Sequence, residues 1–256
     1  MTLRTIFDKK IVVKQPAAGC SRITSIPSGF EKAMQTQLLS TPFDGIPGEA
    51  IRVVAFDCDG VLFDSKEANV RFYTHVLSHV GRPPVRDDQK EFIHMHPVRV
   101  SLGYLLGEGK AFQTAWDYCQ SIDFSAFNSY LTQEPGLLSL LQGLRPSRRI
   151  AMATNRTIST RQVLVHFGLD QYFDLVVSAS DVERPKPHPD CMMRILHAFD
   201  VAPSQVLYVG DSSVDEELAR TTGVYFAAYK NPKLKAHLHV DHFRELHSIL
   251  GIHEPD

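Results

Sequence analysis

Cysteine is scarce in this chain. It holds four in 256 residues, at positions 20, 58, 119 and 191, and none forms a Cys-x-x-Cys pair. That excludes a dense disulfide framework and points to buried thiols in a reducing compartment. Long apolar runs are missing too: none reaches the ~18 residues that a membrane-spanning helix needs. The amino terminus has no charged segment followed by an apolar core, so no secretory leader is expected and the cytoplasm is the expected location. Neither sign of charge dominates. Lys and Arg total 27 against 29 Asp and Glu, for a net charge of -2, which excludes a generally basic nucleic-acid surface, although not a local patch. No internal repeat and no low-complexity tract is present. What is there, 43% hydrophobic and 22% charged residues, is the composition of a globular core, and the length suits one large domain or two smaller ones.

Residues 1–50 stand apart from the rest. They are punctuated by Pro16, Pro27, Pro42 and Pro47 and by Gly19, Gly29, Gly45 and Gly48, and read as an N-terminal extension, either loosely packed on the main body or unfolded. Within it a short strand is expected at 11–13 and a short helix at 30–39. From Val53 the rhythm changes. A short apolar strand at 53–56 is followed by a helix at 67–80, where Tyr73, Val76, Leu77 and Val80 share one face. Three more helices are expected near 87–95, 98–106 and 111–122, with no strand between 65 and 133. Pro135-Gly136 marks the return to alternation. Helices at 137–144, 159–167, 189–199 and 214–222 separate strands at 149–153, 175–177, 206–209 and 224–228. This order predicts an α/β fold: a doubly wound, Rossmann-like parallel sheet with a helical domain inserted after its first strand. The expected organisation is an extension at 1–50, an α/β core at 51–64 and 134–256, and a helical cap at 65–133.

In such sheets ligands sit beyond the carboxyl ends of the strands. Four groups fall there: Asp57 and Asp59, Thr154 with Asn155, Lys186, and Asp211 with Asp215. Carboxylates beside a hydrophobic core require a cation or hydrogen bonds to offset their burial. Several carboxylates suit Mg²⁺, a lysine and a hydroxyl suit a phosphate, and a carboxylate can attack phosphorus. The set suits phosphoryl transfer.

The stretch Asp57-Cys58-Asp59-Gly60-Val61-Leu62-Phe63-Asp64-Ser65 resembles the first motif of the haloacid dehalogenase-like hydrolases. Thr154 after its apolar strand resembles the second motif, Lys186 in Arg184-Pro185-Lys186-Pro187-His188-Pro189 the third, and Gly210-Asp211-Ser212-Ser213-Val214-Asp215 the fourth. The resemblance lies with the phosphoglycolate phosphatase and phosphosugar mutase branch, whose caps are helical. It implies that Asp57 is the nucleophile and a metal ligand. It implies that Asp59 protonates the leaving oxygen and then deprotonates water, its backbone carbonyl also meeting the metal. Thr154 and the Asn155 amide would hold phosphate oxygens, and Lys186 would neutralise nucleophile and phosphate. Asp211 would complete an Mg²⁺ site, with Asp215 a ligand through water or an orienter of Lys186. Dehalogenase members lack the second aspartate, so Asp59 favours a phosphate ester over a carbon–halogen bond. The expected activity is Mg²⁺-dependent hydrolysis of a small phosphomonoester, such as a sugar phosphate or a phosphoglycolate-like acid, through an aspartyl-phosphate. The rivals are a phosphosugar mutase and a non-catalytic interaction protein. The expected partner is a small phosphorylated metabolite, not nucleic acid or membrane, with the oligomeric state open.

Other residues carry blander expectations. Cys58 reads as core, because strand alternation turns it away from its neighbours. Ser65 reads as the cap of the helix that follows, and Asp64 as a hinge residue. His94 and His96 read as packing or surface residues. Arg71, His75, Arg99 and Tyr104 are candidates for facing a substrate. Arg156 meets either a substrate anion or a carboxylate elsewhere. The run His237-Leu238-His239-Val240-Asp241-His242 spells a metallohydrolase-like motif but reads as a solvated edge, because too little chain follows to supply the further ligands.

Overall fold

The apolar run Val53–Phe56 is β1, and burial of all four residues makes it an interior strand. The structure is a computed structural model that describes residues 46–157 and 159–252. After β1 come β2 (Phe63–Asp64), α1 (Lys66–His79), α2 (Lys90–Met95), α3 (Val98–Leu106), α4 (Lys110–Ser121), α5 (Ser125–Asn128) and β3 (Thr132–Gln133). The chain continues through α6 (Leu137–Leu144), β4 (Arg149–Thr154), α7 (Thr160–His166), β5 (Leu175–Ser178) and α8 (Asp190–Phe199). It ends with β6 (Val206–Gly210), α9 (Ser213–Thr222), β7 (Tyr225–Tyr229), β8 (Leu238–Val240) and α10 (Phe243–Ile249).

Six strands form one sheet in the order β5-β4-β1-β6-β7-β8, and every pairing is parallel. The chain starts at β1, winds outward through β4 and β5, then crosses back to β6 on the other side. The reversal falls at β1, so the crevice beyond its carboxyl end is the switch point of a doubly wound, Rossmann-like sheet. Side chains alternate across the strands into two cores. Val54, Phe56, Ile150, Met152, Leu207 and Val209 pack against α6, α7 and α10. Val53, Ala55, Ala151, Ala153, Val206 and Tyr208 pack against α8 and α9. The apolar run of β1 is continuous because both faces are covered.

Helices α1–α5 build a separate apolar cluster around Phe72, Tyr73, Val76, Leu102 and Cys119. Its connection to the sheet holds strands that the sequence did not suggest: Thr132–Gln133 pairs antiparallel with Phe63–Asp64, within the stretch where none was expected. Two-residue strands are too short to show alternation. Asp64 faces Thr132 there. Ser65 occupies the N-cap position of α1 without making a capping bond. The Asp64 carboxylate takes that place, accepting from the Lys66 N–H at 3.3 Å. The histidine-rich run lies on edge strand β8, and its extension into α10 was likewise unread. His237 Nδ1 accepts the Phe226 N–H at 3.0 Å, and His239 Nε2 meets the Leu234 carbonyl at 2.9 Å. No helix among the described residues is long and apolar enough to cross a membrane. The expected strand at 11–13 and helix at 30–39 lie outside the described residues.

Candidate active site

The three central strands end side by side, and their last residues bring the predicted groups together. The Asp57 N–H donates to the Val209 carbonyl at 2.9 Å, which carries the pairing of β1 one residue past the strand. The chain then turns at Gly60, whose φ of 84° is in the left-handed region. A Cβ there would lie 2.1 Å from Asp211 Oδ2, so only glycine lets the first acidic loop approach the second. Thr154 ends β4, Asp211 follows β6, and Asp215 sits in the first turn of α9. Cys58 is fully buried in the core, as its alternation predicts.

Lys186 is the node of this site. Its side chain is 1% exposed, and its Nζ reaches Asp57 Oδ1 at 2.9 Å, Asp215 Oδ1 at 2.7 Å and the Tyr208 hydroxyl at 3.0 Å. An ammonium has three donors, and each has a partner. Burial opposes the charge on Lys186, but the carboxylates of Asp215 and Asp57 outweigh it and hold its pKa above the ordinary lysine value. The Asp215 carboxylate is fully engaged. Besides Lys186, it accepts from the Tyr208 hydroxyl at 2.6 Å and from the Ser212 N–H and hydroxyl at 3.1 and 2.5 Å. Against the cost of burial, these donors, Lys186 foremost, keep its pKa below the ordinary range. Asp215 therefore orients Lys186 and has no free lone pair directed at an ion. Tyr208 was missed by sequence reasoning. In an apolar strand it reads as core, and nothing in the pattern signals where its hydroxyl ends.

Asp57 is different. Oδ1 accepts the Cys58 N–H at 2.7 Å as well as Lys186, and Oδ2 accepts none of the hydrogen bonds found among the described residues. Burial raises its pKa to about 7, with Lys186 opposing and Asp215 and Asp211 reinforcing the rise. Burial likewise raises Asp211. Asp57, Asp211 and Asp215 offer carboxylate oxygens within 4.8 Å of one another. Four carboxylates, counting Asp59, face two permanent cations, Lys186 and Arg156. The excess of two negative charges, and the two carboxylates pushed toward protonation, fit one divalent cation held by Asp57 and Asp211.

Asp59 is bound from one side. Arg156 Nε donates to Oδ2 at 3.1 Å and Nη2 to Oδ1 at 2.8 Å, a two-pronged pair, while Nη1 donates to the Ser159 hydroxyl at 2.9 Å. Burial alone would raise the Asp59 pKa, but the Arg156 guanidinium outweighs it and lowers it to about 2. Of the two readings of Arg156, the structure has the carboxylate partner. Thr154 Oγ1 accepts the Arg156 N–H at 3.1 Å, which leaves its proton to donate. Asn155 spends both side-chain N–H groups on the carbonyls of Met95 and Lys186, at 2.9 and 3.0 Å. The group it leaves for an anion is the backbone N–H.

A cavity of about 60 Å³ opens beside these residues, lined on the far side by α1, α2 and α5. None of the four guessed substrate-facing residues lines it. Arg71 lies over Tyr130, Arg99 over Phe112 and Trp116, His75 bonds Tyr118, and Tyr104 stacks on Phe92. His94, read as a packing residue, points in instead. Its Nδ1 meets Asn69 Nδ2 at 3.1 Å, and its Nε2 lies 3.8 Å from Asp211 Oδ2. That is too long for a hydrogen bond. Burial lowers its basicity, but Asp211 and Asp59 more than restore it, so its pKa is raised.

The family profile described as "Haloacid dehalogenase-like hydrolase" matches residues 54–229. A curated relative, "Tyrosine-protein kinase PtkA" of Mycobacterium tuberculosis, is 32% identical over 184 residues, 70% of this chain and 62% of that protein. The chain thus spans about three fifths of that relative's length. "Phosphoglycolate phosphatase" of Rhodobacter capsulatus is 29% identical over 216 residues, 78% of this chain and 95% of that one. Among solved structures, a HAD-superfamily hydrolase of subfamily IA from Geobacter sulfurreducens superposes with a TM-score of 0.65 at 36% identity, covering 81% of this chain and 100% of its own.

Proposed function

The chain belongs to the haloacid dehalogenase-like hydrolase family, and within it we propose that this protein is a Mg²⁺-dependent phosphatase of small phosphomonoesters that works through an aspartyl-phosphate at Asp57. One observation carries the reading. Asp57 Oδ2 is open while Oδ1 is held by Lys186 and the Cys58 N–H, so a carboxylate is aimed, charge-balanced on one oxygen and available on the other.

Asp57 attacks phosphorus while the bond from phosphorus to the ester oxygen breaks. Asp59, released from Arg156 and then protonated, gives that proton to the leaving oxygen, and the Thr154 hydroxyl and Asn155 backbone N–H hold phosphoryl oxygens. Asp59 then takes a proton from water as that water attacks the acyl phosphate and releases phosphate and Asp57. Lys186 offsets charge on Asp57 throughout, and Asp215 and Tyr208 keep it in place. Asp57 and Asp211 would hold Mg²⁺, which supplies positive charge against the repulsion between carboxylate and phosphoryl oxygens. Helices α1–α5 act as a cap that excludes water from the reacting atoms, the role that the contact of Asn155 with the Met95 carbonyl supports.

The test is phosphate release from a broad panel of phosphomonoesters by the full chain with Mg²⁺, beside Asp57→Asn. Release by the wild type, reduced by orders of magnitude in the variant, is the expected result. Silence across the panel would sink the reading. Rearranged phosphosugar without free phosphate would favour a mutase instead. Transfer from ATP to protein tyrosine would favour the activity for which the mycobacterial relative is named.

A further inference from the structure

Arg156 is committed at every prong in a way that conflicts with turnover. Both oxygens of Asp59 are bonded to it, and the Arg156 and Asp59 side chains are 12% and 13% exposed. For Asp59 to meet a leaving oxygen, at least one of those bonds must break. Should both break, the guanidinium would be buried beside only the Ser159 hydroxyl, a neutral partner. Removing one member of a buried ion pair is strongly unfavourable. The cavity lies against both residues and holds about 60 Å³, so a replacement anion has to be small and close to the ester.

We infer that Arg156 is the specificity-determining residue of this site: it holds Asp59 before substrate binds, and a carboxylate on the substrate, one or two carbons from the phosphoester, takes Asp59's place on the guanidinium. This rests on the phosphomonoesterase reading and narrows it to phosphorylated small acids. A planar fork that already holds a carboxylate by two bonds accepts another like for like. Substrates without the second anion reach the same chemistry only by stranding the cation. The identity of the leaving group's neighbour therefore decides whether Asp59 is released.

The experiment compares phosphoglycolate with 2-hydroxyethyl phosphate, its uncharged counterpart, and with ethylene glycol bisphosphate. Each is assayed with the full-length wild type, Arg156→Met and Arg156→Lys, all checked for retained fold by circular dichroism. The wild type should favour phosphoglycolate over the hydroxyethyl ester by about 10- to 100-fold in kcat/KM, the worth of a charge-assisted bond. Arg156→Met should collapse that ratio toward unity, and Arg156→Lys, a point charge without the fork, should restore part of it. Equal kcat/KM for the two esters in the wild type would overturn the inference, as would a ratio that survives in Arg156→Met. Preference for the bisphosphate would overturn the assignment of the anion as a carboxylate. Binding separates this from the catalytic reading. By calorimetry, phosphonoacetate should bind the wild type at least about 10-fold more tightly than ethylphosphonate, and Arg156→Met should lose the difference. If no ester is hydrolysed yet that difference is found, the phosphatase reading fails and the role of Arg156 stands. Equal affinities for the two phosphonates overturn the role itself.

Discussion

Replacing Lys186 with methionine isolates the electrostatics of the site. The substitution keeps the length of the stem and removes the ammonium from between Asp57, Asp215 and Tyr208, 2.9, 2.7 and 3.0 Å away. Asp215 is fully buried. It keeps the Tyr208 and Ser212 donors but loses its counter-charge, and removal of one partner from a buried pair costs about 3–5 kcal/mol. Asp57 adds a pH dependence. Its folded pKa, already about 7, rises further without Lys186. A raised carboxylate binds a proton in the folded state that the unfolded chain releases near its ordinary value, so stability falls as pH rises toward the folded pKa. Wild type and variant fall together up to about pH 7, where the wild-type contribution levels off and the variant's continues downward. The penalty should therefore grow by up to about 1.4 kcal/mol per pH unit above neutrality. Lys186 itself stays protonated in both states over this range. The assay is urea unfolding in chelator at about pH 6 and pH 9, with an unchanged denaturant slope confirming a pure stability effect. A penalty under about 1 kcal/mol, or one that shrinks with pH, would refute the reasoning.

Two further outcomes follow from the acidic loops. Mg²⁺ titrated into the wild type in a calorimeter should bind, and Asp211→Asn should weaken it by more than tenfold. Because a ligand carboxylate must be ionised, affinity should fall as pH drops through about 7, the value to which burial raises Asp57; affinity that is flat across that range would contradict the ligand assignment. Gly60→Ala forces a side chain into the left-handed region, which costs about 1–2 kcal/mol, and drives its Cβ into Asp211 Oδ2 at 2.1 Å. Both stability in a thermal melt and Mg²⁺ affinity should drop, and a variant with wild-type Mg²⁺ binding would show that the loops do not depend on that approach.

The core was legible because both halves of the alternation are long enough to show a period. Strands such as Arg149–Thr154 hold a continuous apolar run, Ile150, Ala151, Met152 and Ala153, and helices such as Leu137–Leu144 bury Leu137, Leu140, Leu141 and Leu144 on one face. The site was legible for a topological reason: groups at the ends of β1, β4 and β6 must meet, whatever lies between them in sequence. What escaped was set by partners rather than by pattern. His94 points toward Asp211, and Tyr208 bonds Lys186 and Asp215, through packing that no spacing encodes. Nor does any spacing encode the partners of the Asn155 side chain, the carbonyls of Met95 and Lys186. The cavity-facing side of the helical block was misassigned because Arg71, His75, Arg99 and Tyr104 are long polar or aromatic residues whose partners, Tyr130, Tyr118, Trp116 and Phe92, lie on neighbouring elements of the block, away from the cavity.

The central claim is that Asp57 is the atom donor to phosphorus. The direct measurement is an acid-quenched single turnover with a radiolabelled phosphomonoester, followed by proteolysis and mapping of the labelled peptide. The account predicts a hydroxylamine-labile phosphoryl group on the peptide containing Asp57, absent from Asp57→Asn. Turnover without label on the protein, or label that persists in Asp57→Asn, would contradict it.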